Sequence, residues 1–328
     1  NGSKVELFIS NSSTFTVSPQ YTLSKLIPAS NNIETLYDVS PYIQEYISFN
    51  ACSTSGDVQV PTPSAQYAYV RVKRYKLVAS VYTLLTTTDY KAFNGYGYYE
   101  DLFNPDLGEY GLDQTINYYY LPTQYAGKIR VNVGAFFTAR YTNLVTTTQT
   151  SLSLGATAGV FDVPRVRTAN VNAGNKVEIL NSALLVQATY YFYPLEECKY
   201  TPVIIDFVNK YGAWHREFFF KASNNTLSVE NTEYNLMQTD SYPYSVLEGQ
   251  RKVFNANGKQ SIKVNTGWVA ESWKEVLKQI MLSERILIDN KPAKINTKST
   301  ELFKHINTKQ INYTLEFEFA YDTINSVI

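Results

Sequence analysis

Histidine and cysteine are almost missing from this chain, with two of each in 328 residues. His215 and His305 are therefore the only imidazoles on which general acid–base or triad chemistry can draw. Neither has a setting that favours such a role. Tyr211-Gly212-Ala213-Trp214-His215-Arg216 reads as an aromatic turn, and Lys304-His305 as a solvated pair. Cys52 and Cys198 stand far apart and outside any CxxC, which leaves a zinc site nothing to build on. As small apolar side chains they are expected to be free thiols buried in cores. HExxH, Walker A, GxGxxG and GxSxG patterns are absent as well. No run of about 18 apolar residues occurs, so no ordinary membrane-spanning helix is expected, and the first residues lack a charged-then-apolar leader. Excess charge of one sign is also lacking. The 29 basic residues balance 29 acidic ones, removing the overall positive field that non-specific nucleic-acid binding requires. Sequence patterns thus assign no catalytic, cofactor-binding or metal-ligating residue.

What is plentiful is tyrosine and phenylalanine, 28 and 17 residues, beside a charged fraction of only 18 %. Aromatic and β-branched side chains pack well on a pleated, half-buried surface, and Tyr also serves at interfaces, where its ring buries while its hydroxyl finds a partner. A near-neutral chain tends to associate. The expected fold is mainly β: several antiparallel sandwich or barrel domains, with one amphipathic helix packed on the carboxy-terminal sheet.

Three segments are expected. Residues 1–60 form an amino-terminal β segment in which Val5, Leu7 and Ile9 alternate to one side of a strand, and Ser40 before Pro41 caps one short helix. Residues 61–195 form a β domain with an internal repeat: Gln66-Tyr67-Ala68, Val70-Arg71-Val72 and Thr86-Thr87-Thr88 recur as Gln124-Tyr125-Ala126, Ile129-Arg130-Val131 and Thr146-Thr147-Thr148. Residues 196–328 form a carboxy-terminal β domain, beginning where Pro194 interrupts a strand and charge density rises. There Trp268 to Leu282 has helical spacing, with Val269, Trp273, Val276, Leu277 and Ile280 on one face and Thr266 as cap. Its partner is a strand from Ile311 to Tyr321, whose six alternating apolar side chains share one face.

Between the repeats, residues 92–123 hold Glu100, Asp101, Asp106, Glu109 and Asp113 with no Lys or Arg, among turn-forming Asn, Gly and Pro residues. An exposed loop is expected. Its carboxylates can be imagined as a glycosidase pair or, with Asn104, as calcium ligands, but the spacing is not that of an EF-hand and a solvated turn-rich loop explains them. The candidate interface residues are Tyr96, Tyr98, Tyr99 and Tyr110, rings suited to filling pockets on a partner.

Residues 196–328 carry Phe207-Val208-Asn209-Lys210-Tyr211-Gly212-Ala213, Phe254-Asn255-Ala256-Asn257-Gly258, Asn265-Thr266-Gly267-Trp268 and Ile311-Asn312-Tyr313-Thr314-Leu315-Glu316-Phe317-Glu318-Phe319-Ala320. These resemble uncharacterised structural proteins of tailed bacteriophages infecting Bacteroidetes-type hosts. The order of helix, strand, Asp289-Asn290-Lys291-Pro292 turn and final strand is similar to small β-domains of phage tail and baseplate proteins. The resemblance implies a non-enzymatic virion subunit of the tail, neck or baseplate, assembled in the host cytoplasm. Its partners would be further copies of itself, other virion proteins and a host-surface glycan or receptor, with no specific nucleic acid. The rival expectation is a secreted or surface carbohydrate-binding protein whose aromatic loops form the sugar platform.

Overall fold

Period-2 patterning dominates the chain, and strands follow from it. The computed structural model describes residues 2–27, 34–49, 56–97, 111–237, 247, 249–299 and 310–324. As expected, the fold is mainly β. It comprises four sheets and a single helix longer than five residues among the described residues. The chain divides into two compact units, one made of Asn1–Leu195 and Val208–His215, the other of Glu196–Phe207 and Arg216–Ile328.

In the first unit, β1 (Gly2–Ser10), β2 (Tyr21–Leu26), β4 (Ala68–Val78) and β5 (Val81–Ala92) form an antiparallel sheet ordered β2-β1-β4-β5. Val5, Leu7 and Ile9 do share the buried face, where they pack with Ala68, Val70 and Ile43. The sequence pattern sets residues 1–60 apart, yet β1 pairs with β4 along its whole length, so that segment and residues 68–92 share one sheet. Ile43 lies in α1 (Ser40–Gln44), which starts one residue earlier than Ser40 capping would require. Val39 is the cap residue without a side-chain bond, and the Ser40 backbone N–H donates instead to Asp38 Oδ1.

The same unit holds a three-stranded sheet, β3-β10-β7, from β3 (Val60–Pro61), β7 (Lys128–Val133) and β10 (Gly159–Pro164). Its third sheet, ordered β6-β12-β11-β8-β9, contains β6 (Asn117–Tyr120), β8 (Thr138–Asn143), β9 (Gln149–Ser153), β11 (Asn175–Leu180) and β12 (Val186–Pro194). Only β6 and β12 run parallel here. The two repeat segments pair differently. β4 and β5 form one hairpin, whereas β7 and β8 belong to separate sheets.

The second unit carries the largest sheet. It is ordered β14-β13-β17-β18-β19-β16-β15 and comprises β13 (Val203–Val208), β14 (Trp214–Phe219), β15 (Asn224–Asn235), β16 (Arg251–Ala270), β17 (Ile286–Ile288), β18 (Lys291–Ile295) and β19 (Gln310–Phe319), with β20 (Thr323–Ile324) beside β16. The turn between β17 and β18 places Asp289 and Asn290 at φ 47° and 65°, the left-handed pair that a tight hairpin demands. One face is covered by α2 (Lys274–Leu282). Its Val276, Leu277 and Ile280 join Ile205, Phe207, Leu315 and Phe317 in one core. An ion pair is buried in this unit as well, with Arg216 Nε and Nη2 each donating at 2.7 Å to the two oxygens of Asp206.

Three expectations need correcting. The helix does not begin at Trp268: β16 continues to Ala270, paired with β19 beyond a bulge at Asn265–Trp268, and a 3-10 turn over Glu271–Trp273 precedes α2. Thr266 therefore caps nothing. It spans the bulge instead, its Oγ1 accepting from the Tyr313 N–H at 3.0 Å. Trp268, with Val269 and Ala270, belongs to a strand, and its side chain is 70 % exposed. The apolar stripe of β19 also stops early, because the strand ends at Phe319 and Tyr321 is exposed. Finally, Cys198 is a free thiol but an exposed one, in the bend beyond Pro194; Cys52 lies outside the described residues.

Trp273 remains the hinge of this packing, stacking on Tyr313 (ring centroids 6.0 Å apart) and meeting Phe219 edge-on at 5.9 Å. Trp273→Ala should lower the opening free energy of the α2 amides by about 3 kcal/mol, whereas Trp268→Ala should change it by less than about 0.5 kcal/mol. Native-state hydrogen exchange reads both. Equal effects would contradict a helix that begins only after Trp268 has left the strand.

Candidate functional site

The segment that carried the sequence-based site, residues 92–123, is described at its two ends, 92–97 and 111–123. Both ends are fastened to the same short piece of chain, residues 208–215. This piece turns at Gly212, with φ +72°, where a Cβ would come within 2.9 Å of the Asn94 backbone. Asn209 organises the turn. Its Oδ1 accepts from the N–H groups of Tyr211 and Ala213, and its Nδ2 donates at 2.9 Å to Leu112 O. On the other flank, Tyr96 N–H donates at 2.9 Å to Lys210 O. Gly95 lies so close to that carbonyl that a Cβ could not be accommodated. Arg130 completes the base: it is buried, donates to Gly212 O at 3.2 Å and to Gln66 Oε1, and pairs with Asp162 at 3.0 Å.

Next to this turn lies a second polar centre. Asp113 Oδ2 accepts from the Tyr118 hydroxyl and sits 3.2 Å from His215 Nδ1. The Arg165 guanidinium lies over the Tyr118 ring, 4.6 Å from its centroid. Tyr118 is itself stacked on Phe192, with 4.8 Å between centroids. Burial alone would raise the Asp113 carboxyl, but the His215 and Arg165 charges and the Tyr118 hydrogen bond outweigh it and hold the group below its ordinary 3.8. Burial, followed by the Asp113 charge, pushes Tyr118 well above its ordinary 10.0. His215 is thus not the turn residue expected. It stands on β14 with a side chain 1 % exposed. Closed to solvent, the arrangement acts as a fastening between the 111–118 strap and residues 208–215.

The expected exposed loop is exposed only in part at its carboxy-terminal end, where Gln114, Ile116, Asn117 and Tyr119 face solvent but their neighbours do not. Leu112 packs with Tyr211 and Ala213, Gly111 bridges to Val131, and β6 occupies Asn117–Tyr120 with Tyr118 and Tyr120 facing inward. Apolar side chains and a paired carboxylate draw it in. Of the four candidate interface residues, Tyr96 is half-buried with its hydroxyl out of solvent. Tyr98, Tyr99 and Tyr110 lie outside the described residues, as do Glu100, Asp101, Asn104, Asp106, Glu109 and His305. Among the described residues, no three His, Cys, Asp or Glu side chains gather as a cation site needs, and no helix is long and apolar enough to cross a membrane. The sequence pattern does not single out Asn209, Arg130 or Arg165. The Asn-x-x-Gly spacing of 209–212 is the one available signal, since Asn side chains favour local turns.

Two kinds of surface remain for partners. Tyr119, Tyr193 and Tyr191 form a ladder on the outer face of β6 and β12, with centroid spacings of 5.5 and 6.2 Å. Separately, the outermost strands β15 and β5 are each 12 residues long, and every side chain of β15 is exposed. Compared with known proteins, the chain matches no family model, no curated protein and no solved structure.

The buried centre gives a pH signature. Asp113 has a lowered folded-state pKa, so its contribution is complete above about pH 4 and is lost as pH falls through the folded value. Tyr118 has a raised one, so its contribution is complete below about pH 10 and is lost as pH rises. Asp113→Asn should destabilise the first unit by about 3 kcal/mol at neutral pH, as expected for breaking a buried pair. It should also flatten the acid limb of a stability profile taken by circular dichroism. An unchanged acid limb would contradict this role for Asp113.

Proposed function

We propose that this chain is a structural subunit of a tailed-phage virion, in the tail, neck or baseplate, and that it works by assembly rather than by turning over a substrate. The observation that carries the reading is the β15–β16 ribbon. Leu227, Val229, Tyr234, Val253 and Phe254 are all exposed on it. Its outer half, Arg251–Ala256 with the β15 residues opposite, extends beyond β19 and β20 as two strands among the described residues, and two strands alone are marginal in water. A zero net charge agrees with association, as do the phage-like motifs of residues 196–328. In this reading the chain resides in the virion and is assembled in the host cytoplasm. Residues 98–110, between two fastened flanks, are the place for contact with a neighbour or a host-surface glycan or receptor, through Tyr98, Tyr99 and Tyr110.

The carbohydrate-binding reading has one observation in its favour, the Tyr119, Tyr193 and Tyr191 ladder. Sugars stack on open ring faces, and these rings are stacked against one another, with interplanar angles of 29° and 7°. Assembly is therefore favoured. Sedimentation velocity over a wide concentration range should give discrete species of several copies, consistent with closed symmetry. A strictly monomeric chain at every concentration would contradict the proposal.

A further inference from the structure

Open sheets leave a row of unpaired N–H and C=O groups along each outermost strand, and proteins usually blunt such edges with Lys, Pro, short length or bulges. β15 has no Lys, no Pro and no short length, and its ladder with β16 is interrupted only by one irregularity at Thr232–Glu233. It runs 12 residues without Pro, Gly, Lys or Arg, and its only charges are Glu230 and Glu233. β5 is equally long and likewise free of Pro and Gly, with only Asp89 and Lys91 charged and one register shift at Leu85. In one chain the two lie in different sheets, each at an end of its strand order.

We infer that the β15 edge of one copy pairs with the β5 edge of a second copy, adding strand to strand head to tail. The charges decide between the possible pairings. Behind β5, its neighbour β4 presents Arg71, Lys73, Arg74 and Lys76 with no carboxylate. Arg71 is taken by Asp89, and Lys73 lies over the Phe8 ring. Arg74 and Lys76 are exposed and carry no ion pair among the described residues. On the other edge, Glu230 is held by Lys259 of β16 at 3.2 Å, while Glu233 has no ion pair among the described residues. Strand β16 adds Arg251, Lys252 and Lys263 behind it. Joining β15 to itself puts four glutamates on adjoining strands, whereas joining β5 to itself offers no free carboxylate to Arg74, which reaches over β5 to Thr86 Oγ1 at 2.8 Å, or to Lys76. Joining β15 to β5 places the two glutamates between the cations of β16 and, across β5, Arg74 and Lys76 of β4, with Asp89 of β5 already held by Arg71. Like charges across strands are destabilising and opposite ones favourable. The remaining side chains suit a ladder, since β5 offers Thr86, Thr87 and Thr88 and β15 offers Thr226, Ser228 and Thr232. Exposed Leu84, Leu85, Leu227 and Val229 would be covered on joining. A head-to-tail contact closes into a ring or grows as a helical array according to the rotation between copies.

This inference rests on the assembly reading, and the test separates the two. The full chain is compared by sedimentation with Glu230→Lys/Glu233→Lys, Arg74→Glu/Lys76→Glu and the combination of all four. All these positions are exposed, so folding, checked by circular dichroism, is expected to persist. Either pair alone should weaken association at least about tenfold, about 1.4 kcal/mol, and raise the fraction of monomer. The four-fold variant, with charges exchanged, should recover most of the lost affinity. Association of the parent chain should also weaken as salt rises. An oligomer that neither pair disturbs would overturn the strand pairing while leaving assembly intact. Loss in both pairs without recovery in the combination would overturn it as well. A parent chain that never leaves the monomer would overturn both.

Discussion

Backbone hydrogen-bonding capacity at sheet edges is the constraint on which this molecule turns. Four open sheets end in β2 and β5, β3 and β7, β6 and β9, and β14 and β15. Each outermost strand has one side of its backbone to account for. Most are dealt with locally. β3 is two residues long and contains Pro61, β9 is five residues long, and β2 carries Lys25. β7 is buried at every position and receives the Gly111 bridge. Strand β14 is buried over most of its length. Among the described residues, β5 and β15 are left long, mostly exposed and without Pro or Gly.

The second organising feature is inside the first unit. The 92–97 and 111–118 stretches are fixed to residues 208–215, which are remote in sequence, by hydrogen bonds and by the close approach of Asp113 to His215. Asp113 in particular is held ionised by His215, Arg165 and Tyr118 against the penalty of burial. Such a centre is weak as a source of net stability but exacting about geometry. It fixes the two described flanks, 92–97 and 111–118, on residues 208–215.

Period-2 alternation makes much of this fold legible. Val5, Leu7 and Ile9, and then Ile311, Tyr313, Leu315 and Phe317, occupy the buried faces that their spacing announces. The helix start is not legible, because Trp268 and Val269 fit either a helical or a strand pattern, and only pairing with β19 across the Thr266–Gly267 bulge decides between them. Pairing partners are hidden for a similar reason. The similar segments at 66–88 and 124–148 build different sheets, since partner choice depends on contacts far along the chain. Of the candidate site, residue types but not roles are visible. Asp113 looks like one more loop carboxylate and His215 like a turn residue, and nothing local to either reports that they meet. Tyr96 sits in a turn-rich stretch, and its backbone partner, Lys210, lies in a different strand hairpin.

The β15 edge is, on this account, one that awaits another chain. Hydrogen–deuterium exchange at low and at high protein concentration tests it most directly, because amides on the outer side of β15 have no strand partner among the described residues of one copy and acquire one on pairing. Slowed exchange within Asn224–Asn235 on concentration, with the α2 amides unchanged, is the predicted result. Exchange in β15 that stays fast and independent of concentration, in a sample shown to be oligomeric, would contradict the account.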